Sequence, residues 1–153
     1  TLLSFEKLAN DSDFNKKFYY GVKESMIKSV RGEFGIDFKL EGEAGLLLFE
    51  QFFSASGFGL VSLGDLDKKN SRAIIVVNNS PIADALNGVN VPVDHFLRGV
   101  FAGVLTVFFD KQVDCVESDC AALNQQRCNF VIKENHEFDF SNQLVRQQIK
   151  VNE

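Results

Sequence analysis

The stretch VESDCAALNQQRCNF, residues 116–130, holds two of the chain's three cysteines, and its reading decides both the fold and the site. Lys111 to Glu117 reads as a strand, with Val113, Cys115 and Glu117 alternating along it. Arg127 to Lys133 reads as a second strand. The connection between them is tight, with room for one helical turn. Two strands joined so closely favour antiparallel pairing.

Upstream, Pro92 is placed as a first helical residue, and a long helix is expected from there to about Phe109. Gly99, Ala102, Gly103 and Thr106 form a small-residue stripe on it, suited to close approach by another backbone. The stripe is first a packing device and second a candidate dimer interface. A helix from Phe14 to Val30 is expected, N-capped by Asp13, with Phe18, Val22, Met26 and Val30 as its buried stripe. Another spans Glu41 to Ser56. Its Leu46, Leu47, Phe49, Phe52 and Phe53 make it broadly apolar and place it centrally. Strands follow at Phe58 to Leu66 and Ala73 to Val77, separated by the polar turn Asp67-Lys68-Lys69-Asn70, and a short helix covers Ile82 to Leu86. The polar tail from Glu134 has Leu144, Val145 and Ile149 as anchors. Strands in adjacent pairs with long helices between them predict an α+β domain, an antiparallel sheet packed against helices, and one domain over residues 1–153.

Composition narrows the function. Net charge is −5 and no basic run exceeds two residues, which argues against a nucleic-acid partner. The apolar runs near 44–49 and 99–109 are too short or interrupted to span a bilayer. No signal peptide is visible, although the chain begins at Thr1, so a trimmed segment stays open. Three cysteines are too few for a disulfide framework, and the expected compartment is the reducing cytoplasm. Sixteen Phe and no Trp point to a ring-rich core or apolar pocket.

Cys120 and Cys128 bracket a turn and can converge, and Glu117 can face the same point. Thiolate and carboxylate are zinc-type ligands, normally four in a closed site. A fourth ligand has to come from elsewhere, and Asp94 and His95, at the start of the long helix, are the candidates; His136 lies past the last strand. On spacing alone the metal signal is weak, and small buried hydrophobes are the favoured reading of the pair. A redox pair has little support without Cys-x2-Cys.

The run Gly99-x3-Gly103, then Val113 to Glu117, then Glu-x2-Cys-x-Ala-x-Asn-x3-Cys-x-Phe, resembles the 4-vinyl reductase or hydrocarbon-binding domain family over about Val91 to Lys133. That resemblance implies the α+β fold of ligand-binding domains in nitric-oxide signalling and of Golgi transport subunits, usually as homodimers. It is similar to the sensory domains of aromatic-responsive activators. Their zinc is held by a Cys near the start of the long helix, then by Glu and two Cys. By position these are Glu117, Cys120 and Cys128 here, and the first Cys falls on Asp94, with His95 one position on. Asn124 stands where the family usually has Gly, and Asn tolerates a left-handed backbone.

The expected function is therefore binding of an apolar or aromatic small molecule, with a structural zinc and a pocket lined by Phe49, Phe52, Phe53, Phe96 and Phe101. Two alternatives stand beside it. One is an interaction or dimerisation module without ligand. The other is a reductase-related accessory enzyme of tetrapyrrole metabolism. For the enzyme, no G-x-G-x-x-G follows a strand and no nucleophile arrangement stands out, so no catalytic residue is assigned and the reading leans away from catalysis.

Overall fold

The computed structural model describes residues 10–32 and 42–152. Helix α1 is Ser12–Arg31 and α2 is Gly42–Ala55. Strands β1 (Leu60–Asp67) and β2 (Arg72–Asn78) form a hairpin. A short α3 (Pro81–Ala85) and the long α4 (His95–Phe109) lead to β3 (Asp114–Asp119). One 3₁₀ turn at Ala121–Leu123 joins β3 to β4 (Cys128–Lys133), and α5 (Gln143–Gln148) comes after it. The sheet is antiparallel throughout, in the order β1-β2-β4-β3, as expected for an α+β fold. Asn124, at φ 62°, ends the 3₁₀ turn in the left-handed region.

Period-two burial explains the sheet. Ala73, Ile75 and Val77 of β2 and Cys128, Phe130 and Ile132 of β4 turn to the helical side and are buried. Cys115 pairs with Ile132 and Glu117 with Phe130, so Glu117 is carried into the same interior. A bulge between Glu117 and Asp119 then releases the chain into the turn.

The central helix is α4, not α2. Eleven of its residues, from His95 to Thr106, are buried between the sheet and α1. Helix α2 packs chiefly on β1 and leaves Leu47, Leu48 and Phe52 exposed. Pro92 does not open α4; the helix starts at His95, after Asp94. The Gly stripe is spent inside the fold. A Cβ on Gly99 would stand 2.7 Å from Val22 Cβ and 2.8 Å from the Tyr19 carbonyl; one on Gly103 would stand 2.7 Å from Met26 Cβ. This occupies the stripe with α1 and removes it as a dimer interface.

Val22, Met26 and Val30 of the expected stripe on α1 pack inward, but Phe18 does not, and polar residues share the buried face. Asp11, not Asp13, caps the helix, accepting from Phe14 N. Asn15, Tyr19, Lys23 and Val30 face inward, while Phe18 is 43% exposed. The reason is Asp114, buried at the start of β3, which accepts hydrogen bonds from Tyr19 Oη (2.8 Å), Lys23 Nζ (2.9 Å) and Asn135 Nδ2 (2.8 Å). A buried carboxylate needs this many partners, so it selects polar residues of α1 over aromatic ones.

Gly103→Ala is expected to destabilise the fold by about 1–3 kcal/mol through overpacking. Gly21→Ala, in the same pair of helices with nothing within 4 Å of its Cβ, is expected to stabilise it. Thermal melts of both variants check this, and equal midpoints would contradict the close approach.

Candidate metal centre

Four elements deliver the cluster. Glu117 comes from β3, Cys120 from the residue before the 3₁₀ turn, Cys128 from the first position of β4, and Asp94 from the residue preceding α4. All four are fully buried. The ligand atoms of Glu117, Cys120 and Cys128 lie within 4.8 Å of one another. Asp94 joins from the side: Cys128 Sγ donates to its Oδ2 at 3.4 Å, and its own backbone N–H donates to Glu117 Oε2 at 3.1 Å. Ser80, the N-cap of α3, holds the Asp94 carboxylate through its hydroxyl at 2.8 and 3.1 Å. Asp94 therefore does not cap α4 with its side chain.

His95 is not brought to the cluster. Its Nδ1 lies 2.7 Å from Arg98 Nη1, on the side of the helix facing α1 and α5. Burial, and then Arg98, lower its pKa to about 3.

The electrostatics are those of too many acids in one dry place. Burial first, then Cys120 and Asp94, hold the Glu117 carboxyl well above its usual range. Burial also raises Asp94, against the bonds from Ser80 and Cys128. The hydrogen bond between the thiols splits them: Cys120 falls to about 6, while Cys128 is raised. Glu117 Oε1 is buried without a hydrogen-bond partner among the described residues. Two thiols and two carboxylates, one with an orphaned oxygen, suit a divalent cation of borderline softness. Such a charge reverses the local pKa order and lets the group ionise together. The residues present thus fit a zinc-type ion.

Behind the cluster, Gln148 clamps Glu117: its Oε1 accepts from Glu117 N and its Nε2 donates to Glu117 O, both at 2.9 Å. Ser80, Arg98 and Gln148 are parts of the site that sequence reasoning missed. Arg98 had a signal, a lone cation in the apolar run from His95 to Phe109. Gln148 and Ser80 had none beyond their polarity.

The phenylalanines form one connected set. Phe49 and Phe53 lie 4.5 Å apart, Phe49 and Phe101 6.3 Å, and Phe52 and Phe53 5.4 Å between centroids. Phe96 joins through Phe58. Among the described residues, Phe49 alone of the set lines the apolar cavity between α2, α4 and the sheet, with Leu46, Val61, Leu63 and Ile75, and Glu50 is the one polar wall residue. That cavity is about 20 Å³. This is room for a water, and small beside the roughly 150 Å³ of an engineered apolar cavity that admits benzene.

The family model of the 4-vinyl reductase domain matches residues 73–134, from β2 to just past the end of β4, and so includes all five candidate metal positions. This bears out the resemblance over a longer segment than its motifs suggested. No curated protein matches the chain in sequence. The fold is similar to the phenol-responsive sensory domain of the transcription activator PoxR, crystallised with phenol, at a TM-score of 0.72 and 12% identity, covering 94% of this chain and 77% of that one. It is similar to a vinyl-4-reductase family protein from Methanocaldococcus jannaschii at 0.57 and 20%, covering 76% and 67%. A trafficking protein particle complex subunit 3 from Naegleria fowleri aligns at 0.44 and 13%, covering 86% and 81%.

In metal-free protein, Glu117 keeps a proton that the unfolded chain releases above its ordinary pKa of 4.5. The native state then binds more protons, and this contribution to stability falls as pH rises through that window. Glu117→Gln removes the dependence. Chelator-treated Glu117→Gln is expected to gain on the parent by up to about 1.4 kcal/mol per pH unit above that point. Urea midpoints across pH check this, and a constant difference would contradict the raised carboxyl.

Proposed function

We propose that the chain is a small-molecule-binding domain for an apolar or aromatic ligand, built around a structural zinc ion. The observation that carries it is the apolar cavity between α2, α4 and the sheet, which Phe49 links to the rest of the phenylalanine set and which the carboxylate of Glu50 touches. The 4-vinyl reductase domain match and a fold like that of a phenol-responsive sensory domain support the same reading. Zinc would be held by Glu117, Cys120 and Cys128, with Asp94 as the fourth donor rather than His95. Its role there is to tie β3, β4 and the start of α4 together, and four protein ligands leave no open position for catalysis.

At its present volume the cavity takes no aromatic ring, so the ligand must part α2 from the sheet. Few polar links resist this. Leu63 N donates to Glu50 Oε2 at 3.0 Å, and Val61 N to Ser54 Oγ at 3.0 Å. Displacing the Leu63 bond frees Glu50 to accept from a ligand hydroxyl, which favours phenol-like compounds over plain hydrocarbons.

The unit acts as one domain over residues 1–153, in the cytoplasm and as a homodimer. Three free, buried thiols support the reducing compartment. No helix among the described residues is long and apolar enough to cross a membrane. Exposed Phe14 and Phe18 on α1, beside an open groove of about 390 Å³, support an apolar contact between copies.

Protein purified without chelator is expected to carry about one zinc per chain, lost in Cys120→Ser; absence of metal from both samples would return the thiols to plain core. Calorimetry is expected to show phenol binding by the parent, with at least tenfold weakening in Val61→Phe, which fills the cavity. Equal affinity in a folded Val61→Phe, or no binding of any aromatic, would contradict the assignment.

A further inference from the structure

A second cavity, of about 30 Å³, lies where the N-termini of α1 and α4 meet α5, walled by Ser12, Asn15, Pro92, His95, Gln147 and Gln148. His95 is 7% exposed, and its Nε2 has no hydrogen-bond partner among the described residues. Arg98 fixes the tautomer. A guanidinium only donates, so His95 Nδ1, 2.7 Å from Arg98 Nη1, must accept, and the ring proton sits on Nε2. The orphaned atom is therefore a donor.

The charge behind that donor has no ion-pair partner among the described residues. It belongs to Arg98, which is fully buried. Its guanidinium is satisfied by the Cys115 and Gln148 carbonyls at 3.1 and 2.6 Å, by His95, and by the Tyr19 ring face at 4.3 Å. Among the described residues, no acidic side chain lines the cavity. The nearby carboxylate of Asp11 is engaged in capping α1. Two helix N-termini add the positive ends of their dipoles.

We propose that this cavity binds a small monoanion, a carboxylate of formate size, on the Nε2–H of His95. The volume sets the size. One water needs about 10–15 Å³, so the site holds two or three heavy atoms and excludes an aromatic ring. It shares Gln148 and Arg98 with the surroundings of the metal centre but none of the four proposed metal donors, and it is distinct from the apolar cavity.

The chain has two histidines, and His136, with its side chain 77% exposed, is an internal control. Ring-nitrogen NMR of labelled protein, titrated with sodium formate at constant ionic strength, tests the site. His95 is expected as the Nε2–H tautomer, shifting saturably in the millimolar range while His136 drifts without saturation. Gln147→Glu, on the half-exposed side of α5, places a carboxylate at the cavity wall and is expected to weaken binding at least tenfold. A proton on Nδ1, a His95 shift that does not saturate because only water occupies the cavity, or unchanged affinity in Gln147→Glu would each overturn the proposal.

Discussion

Helix α4 is buried on two sides, and most of the polar architecture of the molecule answers to that burial. A helix between a sheet and another helix has no solvent for its polar residues, so each must be met from the interior. Arg98 is met by carbonyls of β3 and α5, and Asp94 by Ser80 and Cys128. The backbone of β3 is caught in the same web. As an edge strand it presents unpaired groups, and these go to side chains: Cys115 N to Tyr19, Cys115 O to Arg98, and Glu117 N and O to Gln148. The edge that could have recruited another strand is closed from within.

The same web links the candidate metal centre to the ends of the described chain. Gln148 clamps Glu117, Tyr20 Oη accepts from Lys150 N, and Asn135 holds Lys150 and Asn152. An ion that tightened Glu117 would therefore also steady α5 and the residues after it. The apolar side of the molecule is less firmly held. Helix α2 meets β1 through apolar packing and the polar links of Ser54 and Glu50, and meets α4 through the Phe49–Phe101 ring pair, which is the arrangement expected of an element that must move for a ligand to enter.

Much of this was legible in the sequence where local chemistry and tertiary demand agree. The β3–turn–β4 unit follows from alternation and from Asn124, which takes the left-handed position the turn requires. Gly99 and Gly103 announced a close approach, though not that α1 would fill it. The failures lie where buried polar groups override hydrophobic pattern. Phe18 lost its inward place to Tyr19 and Lys23 because Asp114 needed donors, and periodicity carries no trace of a partner some ninety residues away. Asp94 and His95 were inseparable by spacing. One residue of helical rotation sends them to opposite neighbours, Asp94 to Cys128 and His95 to Arg98. Helix α5 was read as tail because its six residues give too little periodicity to register.

X-ray absorption at the zinc edge, on protein purified without chelator, tests the central claim most directly. A shell of two sulfurs at about 2.3 Å and two lighter atoms at about 2.0–2.2 Å is predicted, from Cys120, Cys128, Glu117 and Asp94. A shell of nitrogen and oxygen alone would contradict the assignment, because the cluster of Glu117, Cys120 and Cys128 supplies two thiolates.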